Sequence, residues 1–389
     1  MRNLLFILLF FAPTLHAQQS IFFESYGHYN STGVRRQIPD AFFYGGPIDS
    51  TQISQSIANL AERNSFGLQM GGTVQYISPW KASKNTKKWG SHYHFIFGGG
   101  AYQYAGVQFS KDIFGLVFNG GLPYIGDTLQ FGNLRMQSTT FSKLGFGLYD
   151  SLSKSSFLIH FVAVQNHFNG FLSEGSWYQD PNSAQIDLAL NGTAQMSFNQ
   201  AKAYGLALDL DYRFGSEQGE EAAQQFQLLI QNFGFARAAN ATKYELNGAL
   251  QYAGFSFNQW QQTNLNELSN AVLDTLGFVK KNTQTWIVLP AQISLSKCLD
   301  WDKIQKLQAY YGAQFMLRQT YTPMVYAGAQ LKVNKVWYTG LGLAYGGFGG
   351  LRAQAYSALR FKRSMFVLRS DNIALQNGAS LYLQFRCDF

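Results

Sequence analysis

His92 and His94 stand two residues apart, a spacing that in a strand puts both imidazoles on one face, where they could share a metal ion. No third ligand falls into place beside them, so a place in a strand wall is the plainer reading. His160 and His167 have the residue type of a base that activates a serine, as in a barrel phospholipase, but such a pair needs hydrogen-bond contact that no local motif provides. H-E-x-x-H, C-x-x-C, a phosphate-binding P-loop and G-x-S-x-G are all missing. Gly71-Gly72, Gly98-Gly99-Gly100 and Gly346-Gly347-Phe348-Gly349-Gly350 do not join a strand to a helix, so they read as turns and kinks and not as phosphate cradles. No catalytic residue, cofactor or metal is expected, and the chain is not read as an enzyme.

A second set of chemistry-bearing residues is larger. Asp209, Asp211, Arg213, Lys306, Arg318, Lys332, Arg352, Arg360, Arg369 and Arg386 each alternate with Leu, Phe, Val or Ala neighbours. Tyr204, Leu206, Leu208, Leu210, Tyr212 and Phe214, for example, take one face of a strand and leave Asp209, Asp211 and Arg213 on the other. The same period recurs through residues 306–318, 323–334 and 351–362, and in the closing stretch, where Leu381, Leu383, Phe385, Cys387 and Phe389 oppose Tyr382, Gln384, Arg386 and Asp388. These runs last about ten to thirteen residues, against about five or six for strands of globular proteins and nine to eleven for tilted strands crossing a bilayer.

Composition agrees with strands that are apolar on every second residue only. The 389 residues are 13% charged, about half the roughly 25% of soluble proteins, and 16% aromatic, with 38 Gly and 8 Pro. Mean hydropathy is nevertheless slightly negative, −0.13. Past the N-terminus no stretch offers the ~18 apolar residues of a membrane helix. The start, Met1-Arg2-Asn3, an apolar Leu4–Phe11 and Leu15-His16-Ala17, reads as a secretory signal peptide over residues 1–17. Cys298 and Cys387 are too few for a disulfide scaffold. The net charge of +8 comes from scattered residues, which disfavours nucleic acid and leaves a general attraction for anions.

The joins alternate in length. Working back from Phe389, short ones fall at 362–364, 333–335, 298–305, 238–243, 199–200 and 150–155; longer ones fall between them, the longest, 259–282, carrying a helical pattern over Gln259–Leu276. Short turns at one end and long loops at the other belong to outer-membrane barrels. If residues 92–110 form one strand, the count reaches sixteen, and fourteen if two weak segments drop out. The expected fold is all-β, a transmembrane antiparallel barrel of about 14–16 strands over residues 65–389. Residues 18–64, with a short helix near Ile53–Ala61, are expected to form a periplasmic segment or a plug.

The tail "FVLRSDNIALQNGASLYLQFRCDF" and the early "DAFFYGGPIDSTQI" with "NLAERNSFGLQMGG" resemble a family of uncharacterised outer-membrane barrels of the Bacteroidota, through Ser370, Asp371, Asn372, Gly378, Leu381, Tyr382 and Phe389. More distantly the chain is similar to FadL-type channels and to the PorP/SprF proteins of type IX secretion. The resemblance implies that Phe389 is the signal read by the barrel-assembly machinery and marks a periplasmic strand end.

In a barrel the charged face must point inward, because a midplane Arg or Lys facing lipid costs about 2–4 kcal/mol. An inward Arg-rich set biases a pore towards anions; alternatively Asp209 and Asp211 pair with Arg in a salt-bridged wall. The expected function is passive transport of a small or amphipathic solute across the cell outer membrane. The alternative is a non-transporting component of an envelope or type IX secretion assembly, with outer-membrane lipid, the assembly machinery and envelope proteins as partners.

Overall fold

A computed structural model describes residues 19–79, 92–183, 185–215, 225–252, 277–297, 306–374 and 376–389. The expected signal peptide, the helix over Gln259–Leu276 and Cys298 lie outside the described residues. Sixteen strands pair antiparallel in one sheet. They are β1 (Ser20–Ser31), β2 (Arg63–Pro79), β3 (Tyr93–Ser110), β4 (Thr128–Gln130), β5 (Leu134–Asp150), β6 (Ser155–Gln179), β7 (Ile186–Gly215), β8 (Gln225–Tyr252), β9 (Val279–Val288), β10 (Gln292–Lys297), β11 (Leu307–Met316), β12 (Thr322–Lys332), β13 (Trp337–Gly347), β14 (Gly349–Arg360), β15 (Ser364–Ser370) and β16 (Gly378–Asp388).

The sheet closes on itself twice over. β1 pairs with β16 from Ser20↔Asp388 to Asn30↔Gly378, and β8 pairs with β10 from Phe226↔Lys297 to Gln231↔Gln292. With β4 and β9 outside this ring, a closed barrel of 14 strands remains. β9 continues the line of β10 along β8 and is separated from it by Leu289-Pro290-Ala291, where a proline cannot give a ladder hydrogen bond.

Exposed apolar side chains form a belt round the outside: Phe95 and Phe97 on β3, Leu144 and Phe146 on β5, Ile159 and Phe161 on β6, Leu206 on β7, Phe235 on β8, Leu341 and Leu343 on β13, and Leu381 and Phe385 on β16. No helix among the described residues is long and apolar enough to cross a membrane; the closed ring of strands satisfies its own backbone groups, as a span in lipid has to.

The wall is lopsided. β6, β7 and β8 run for 25, 30 and 28 residues, whereas β15 has 7 and β11 has 10. Where the long strands leave the belt, their ladders slip together along the row Phe141, Val164, Ala203 and Ala238. The shifts fall between Thr140 and Phe141, Val164 and Asn166, Met196 and Ala203, and Ala238 and Ala241. Such bulges bend a strand without ending it. This row corrects two expected turns: 199–200 lies within β7, and 238–243 within β8. Small and polar residues at a bulge imitate a hairpin turn, so each of these two long strands reads as two in the sequence.

The expected boundary near residue 65 also moves. Ser20–Ser31 is β1, a full member of the barrel held between β16 and β2, so the barrel begins 45 residues earlier than the pattern indicated. The consecutive Ile21-Phe22-Phe23 and the polar inward row Glu24, Tyr26, His28 hide its alternation. Between β1 and β2 the chain forms α1 (Gln37–Tyr44) and α2 (Ser50–Asn59), and after β3 it forms α3 (Lys111–Asn119). Asp49 and Ser110 cap α2 and α3 through the amides of Thr51 and Ile113. These helices lie at the end of the barrel opposite the chain termini. There they pack Val34, Ile38, Leu60 and Phe114 against Phe66, Val107, Phe109 and Leu134, residues on the outward face of β2, β3 and β5. The segment is thus an external collar and not a plug, and it cannot share a side with Phe389.

The belt supplies the first test. Leu343→Arg should lower the unfolding free energy in lipid vesicles by about 2–4 kcal/mol, read from urea titration, while Leu343→Met should stay within about 1.5 kcal/mol of the parent.

Candidate functional site: the barrel lumen

The inward faces of the strands bring polar and aromatic side chains into one lumen, whose end away from the termini is closed by two turns. The β11–β12 turn, residues 317–321, and the β13–β14 turn round Phe348 both fold in from the short wall and reach the opposite one. Gly346 and Gly347 take φ of 98° and 74°, which few side chains tolerate. The turn thereby aims Phe348 at β2. There the ring lies flat on Gly67, where a Cβ would come within 2.1 Å of it. Tyr321 meets the same ring edge-on at 5.0 Å and Tyr104 packs at 5.8 Å. Polar contacts fasten both turns. Ser65 Oγ donates to the Phe348 carbonyl at 3.0 Å, Thr320 Oγ1 lies 2.6 Å from Tyr104 Oη, and Arg352 Nη1 donates to the Gly346 carbonyl at 2.6 Å. Arg318 Nη2 donates to Thr139 Oγ1 at 3.1 Å and to the Val288 carbonyl at 2.7 Å. Below Phe348 a cavity of about 20 Å³, lined by His28, Asn30, Arg352, Asp371 and Tyr382, has room for little more than a water.

Under this closure the lumen has two differing walls. On the β14–β16 and β1 side, Tyr26, His28 and Tyr382 stack with ring centroids 5.6–6.2 Å apart, and Tyr382 Oη lies 2.8 Å from His28 Nδ1. Arg369 sits 5.3 Å from the Tyr382 ring and 6.0 Å from that of Tyr326, and its Nε donates to Asp371 Oδ1 at 2.7 Å. Its side chain is 38% accessible although it points inward, whereas Asp371 is 7% accessible. The guanidinium therefore borders open space inside the barrel.

On the β5–β8 side a buried cluster stands out. Lys143 Nζ donates to Asp209 Oδ2 at 2.5 Å and to Asn232 Oδ1 at 2.6 Å, His160 Nε2 lies 3.0 Å from the same carboxylate oxygen, and the Asn232 amide donates to Asp209 Oδ1 at 2.8 Å. The Lys143 and His160 side chains are each 2% accessible. Two opposite charges so placed keep each other; removing one strands the other in a dry site.

Of the other expected lumen residues, Asp211 and Arg213 pair at 3.5 Å one step along β7 from Asp209, Lys332 lies 5.7 Å from the Tyr338 ring, and Arg386 pairs with Asp388 at 2.9 Å. Arg360 is half-buried at the end of β14. Arg318 belongs to a turn instead of a wall, and Lys306 is exposed just before β11 begins; its alternation is correct, but the position lies past the strand's end. The Phe389 amide donates to the Gln19 carbonyl at 2.8 Å, at the seam where β1 meets β16. Lys143 escaped the sequence reading although the signal was there: Leu144, Phe146 and Leu148 take the outward face and leave position 143 inside. Nothing in the sequence marked Phe348 as the side chain that closes the lumen.

The His residues singled out by spacing find other partners. His160 faces Asp209, His167 Nδ1 lies 3.1 Å from Thr139 Oγ1, and His94 is buried 6.1 Å from the Tyr149 ring. Among the described residues no group of three or more His, Cys, Asp or Glu could hold a metal ion.

No protein-family model matches the chain, and no curated relative matches it either. Solved structures similar to it are outer-membrane channels and autotransporter barrels. The toluene transporter TbuX of Ralstonia pickettii is 9% identical, with 96% of this chain and 90% of that one covered and a TM-score of 0.36. A Pseudomonas aeruginosa FadL homologue is 10% identical over 96% and 91%, with a TM-score of 0.37. The translocator domain of the autotransporter NalP from Neisseria meningitidis is 9% identical over 100% and 94%, with a TM-score of 0.29. The fold assignment rests on the strand pairing above and not on these likenesses.

The buried pair yields a second test. Asp209→Leu should cost about 3–5 kcal/mol of stability by leaving Lys143 unpaired, and Lys143→Met added to it should restore most of the loss. Equal losses in the single and double variants, measured by urea unfolding in vesicles, would show that the two charges do not depend on each other.

Proposed function

We propose that the chain is a passive transport barrel of the cell outer membrane for a small or amphipathic solute, and not an enzyme. One observation carries this reading: the barrel is obstructed by two fastened turns at one end, while an inward Arg369 beneath them still borders open space in the lumen. Tyrosines dominate the wall there, and each offers an apolar ring with a polar tip, which suits a solute having both characters. Arg369 pairs with Asp371 and Lys143 with Asp209, so both readings of the charges, an anion bias and a salt-bridged wall, find support on different walls. Arg369 and Arg386, with side chains 38% and 42% accessible, have the exposure to meet a passing anion.

Phe348→Ala removes the ring that seals the lumen against Gly67. In planar bilayers this variant should conduct more than the parent, and solute uptake into vesicles should rise with it. A Phe348→Ala barrel that is inserted and folded yet neither conducts nor admits solute defeats the transport reading.

A second reading has its own support. Beyond the bulge row β6 runs on from Asn166 to Gln179, roughly 40 Å of strand, enough for β5–β8 to present a sheet to an envelope or secretion partner. Cross-linking in native membranes followed by recovery of the lone barrel would remove it. Insertion itself is proposed to depend on Phe389: deleting that residue should cut the amount of folded barrel in the membrane, and unchanged levels would refute its role as assembly signal.

A further inference from the structure

Outside the belt, the collar carries a patch of exposed apolar side chains. Phe42 is 67% accessible, Phe43 46%, Tyr44 81% and Val117 69%. These are neighbours: the Phe42 ring lies 6.4 Å from Phe118, the residue after Val117 on α3, and Phe43 lies 6.4 Å from Tyr44. The first turn of α1 is held by protein, since Ile38 is buried in the collar's core and Asp40 accepts a hydrogen bond from Tyr29, whereas its last turn is exposed. The stretch from Ala41 to Ile48, Ala-Phe-Phe-Tyr-Gly-Gly-Pro-Ile, contains no charge. An aromatic patch of this kind on a water-facing tip would be a liability.

Position along the wall says what covers it. α1 rests on the outward side of β1 through Tyr29, whose ring lies 5.6 Å from Phe43 and 6.3 Å from Phe66 of β2. That outward face is the one that carries Phe23, Met70 and Val74 towards the terminal end of the barrel, all at least 40% accessible. From Phe66 to Tyr76 the strand rises about 3.3 Å per residue; at a tilt near 40° this spans ~25 Å, the height of the apolar band of membrane barrels. Phe66 therefore stands at the rim of that band, and the collar's aromatic face is a continuation of the lipid-facing surface into the headgroup layer.

We propose that Phe42, Phe43, Tyr44 and Val117 form a lipid-interface foot, with α1 lying in the headgroup region of the leaflet on the collar's side. A helix whose first turn is held by protein and whose last turn meets lipid at this depth behaves as an interfacial anchor, and aromatic rings are the side chains suited to that layer. Bound there, the foot fixes the height of the barrel in the bilayer on the side of β1 and β2. The proposal rests on the barrel being inserted in lipid and is independent of what passes through it.

Site-directed fluorescence tests it. In a Cys298→Ala, Cys387→Ala background, single cysteines at Tyr44→Cys, Gln55→Cys and Leu343→Cys are labelled with bimane and placed in phosphatidylcholine vesicles with or without brominated lipid. Leu343, on the belt, reports whether the barrel is in the bilayer at all; exposed Gln55 on α2 reports water. The label at position 44 should lose most of its emission to brominated lipid and resist iodide, as at 343. A label at 44 that iodide quenches as readily as at 55, while 343 is quenched by brominated lipid, overturns the foot and leaves the membrane reading intact. Shielding at 44 that occurs in native membranes but not in pure lipid vesicles assigns the patch to a protein partner and overturns it equally.

Discussion

Everything in this molecule follows from one requirement: the backbone in lipid must find its hydrogen bonds within the sheet. The seam between β1 and β16 meets it by joining the first described strand to the last, and the pairing of β8 with β10 completes the ring. No edge is left within the ring, and lipid sees only side chains. That seam explains why the chain's final residues alternate so regularly, and why Ser20–Ser31 could not be a free N-terminal segment.

Closure also decides where charge goes. With Leu, Phe and Ile turned to lipid, each alternate position is delivered to a lumen, where charges either pair or meet water. Lys143 and Asp209 pair in a dry wall with His160 and Asn232, whereas Arg369 keeps an accessible face. The lumen is consequently neither a dry core nor an open tube. Its obstruction comes from the turns of the short wall, held across the barrel by contacts with Gly67, Tyr104 and Thr139.

Much of this was legible beforehand, and unevenly so. Alternation over ten or more residues identified the barrel and the inward parity of Asp209, Arg352 and Arg369. It failed where local chemistry imitates something else. The bulge row brings small and polar residues into β7 and β8 at one height, and this looks like turns. Ile21-Phe22-Phe23 interrupts the alternation of β1. Lys306 continues a period past the end of its strand. In each case a rule about neighbours in sequence was answered by neighbours in space.

What the amino-acid sequence determined by itself is therefore the solvent of each face: period two, ten-residue runs and sparse charge require strands with lipid on one side and a polar interior on the other. What only the tertiary structure decided is how that interior is filled. The wall is tall on one side, the turns 317–321 and 346–350 fold across to strands distant in sequence, and α1 stands outside at the rim. These outcomes depend on which strands become opposite one another once the sheet closes, a long-range geometry that no local pattern encodes.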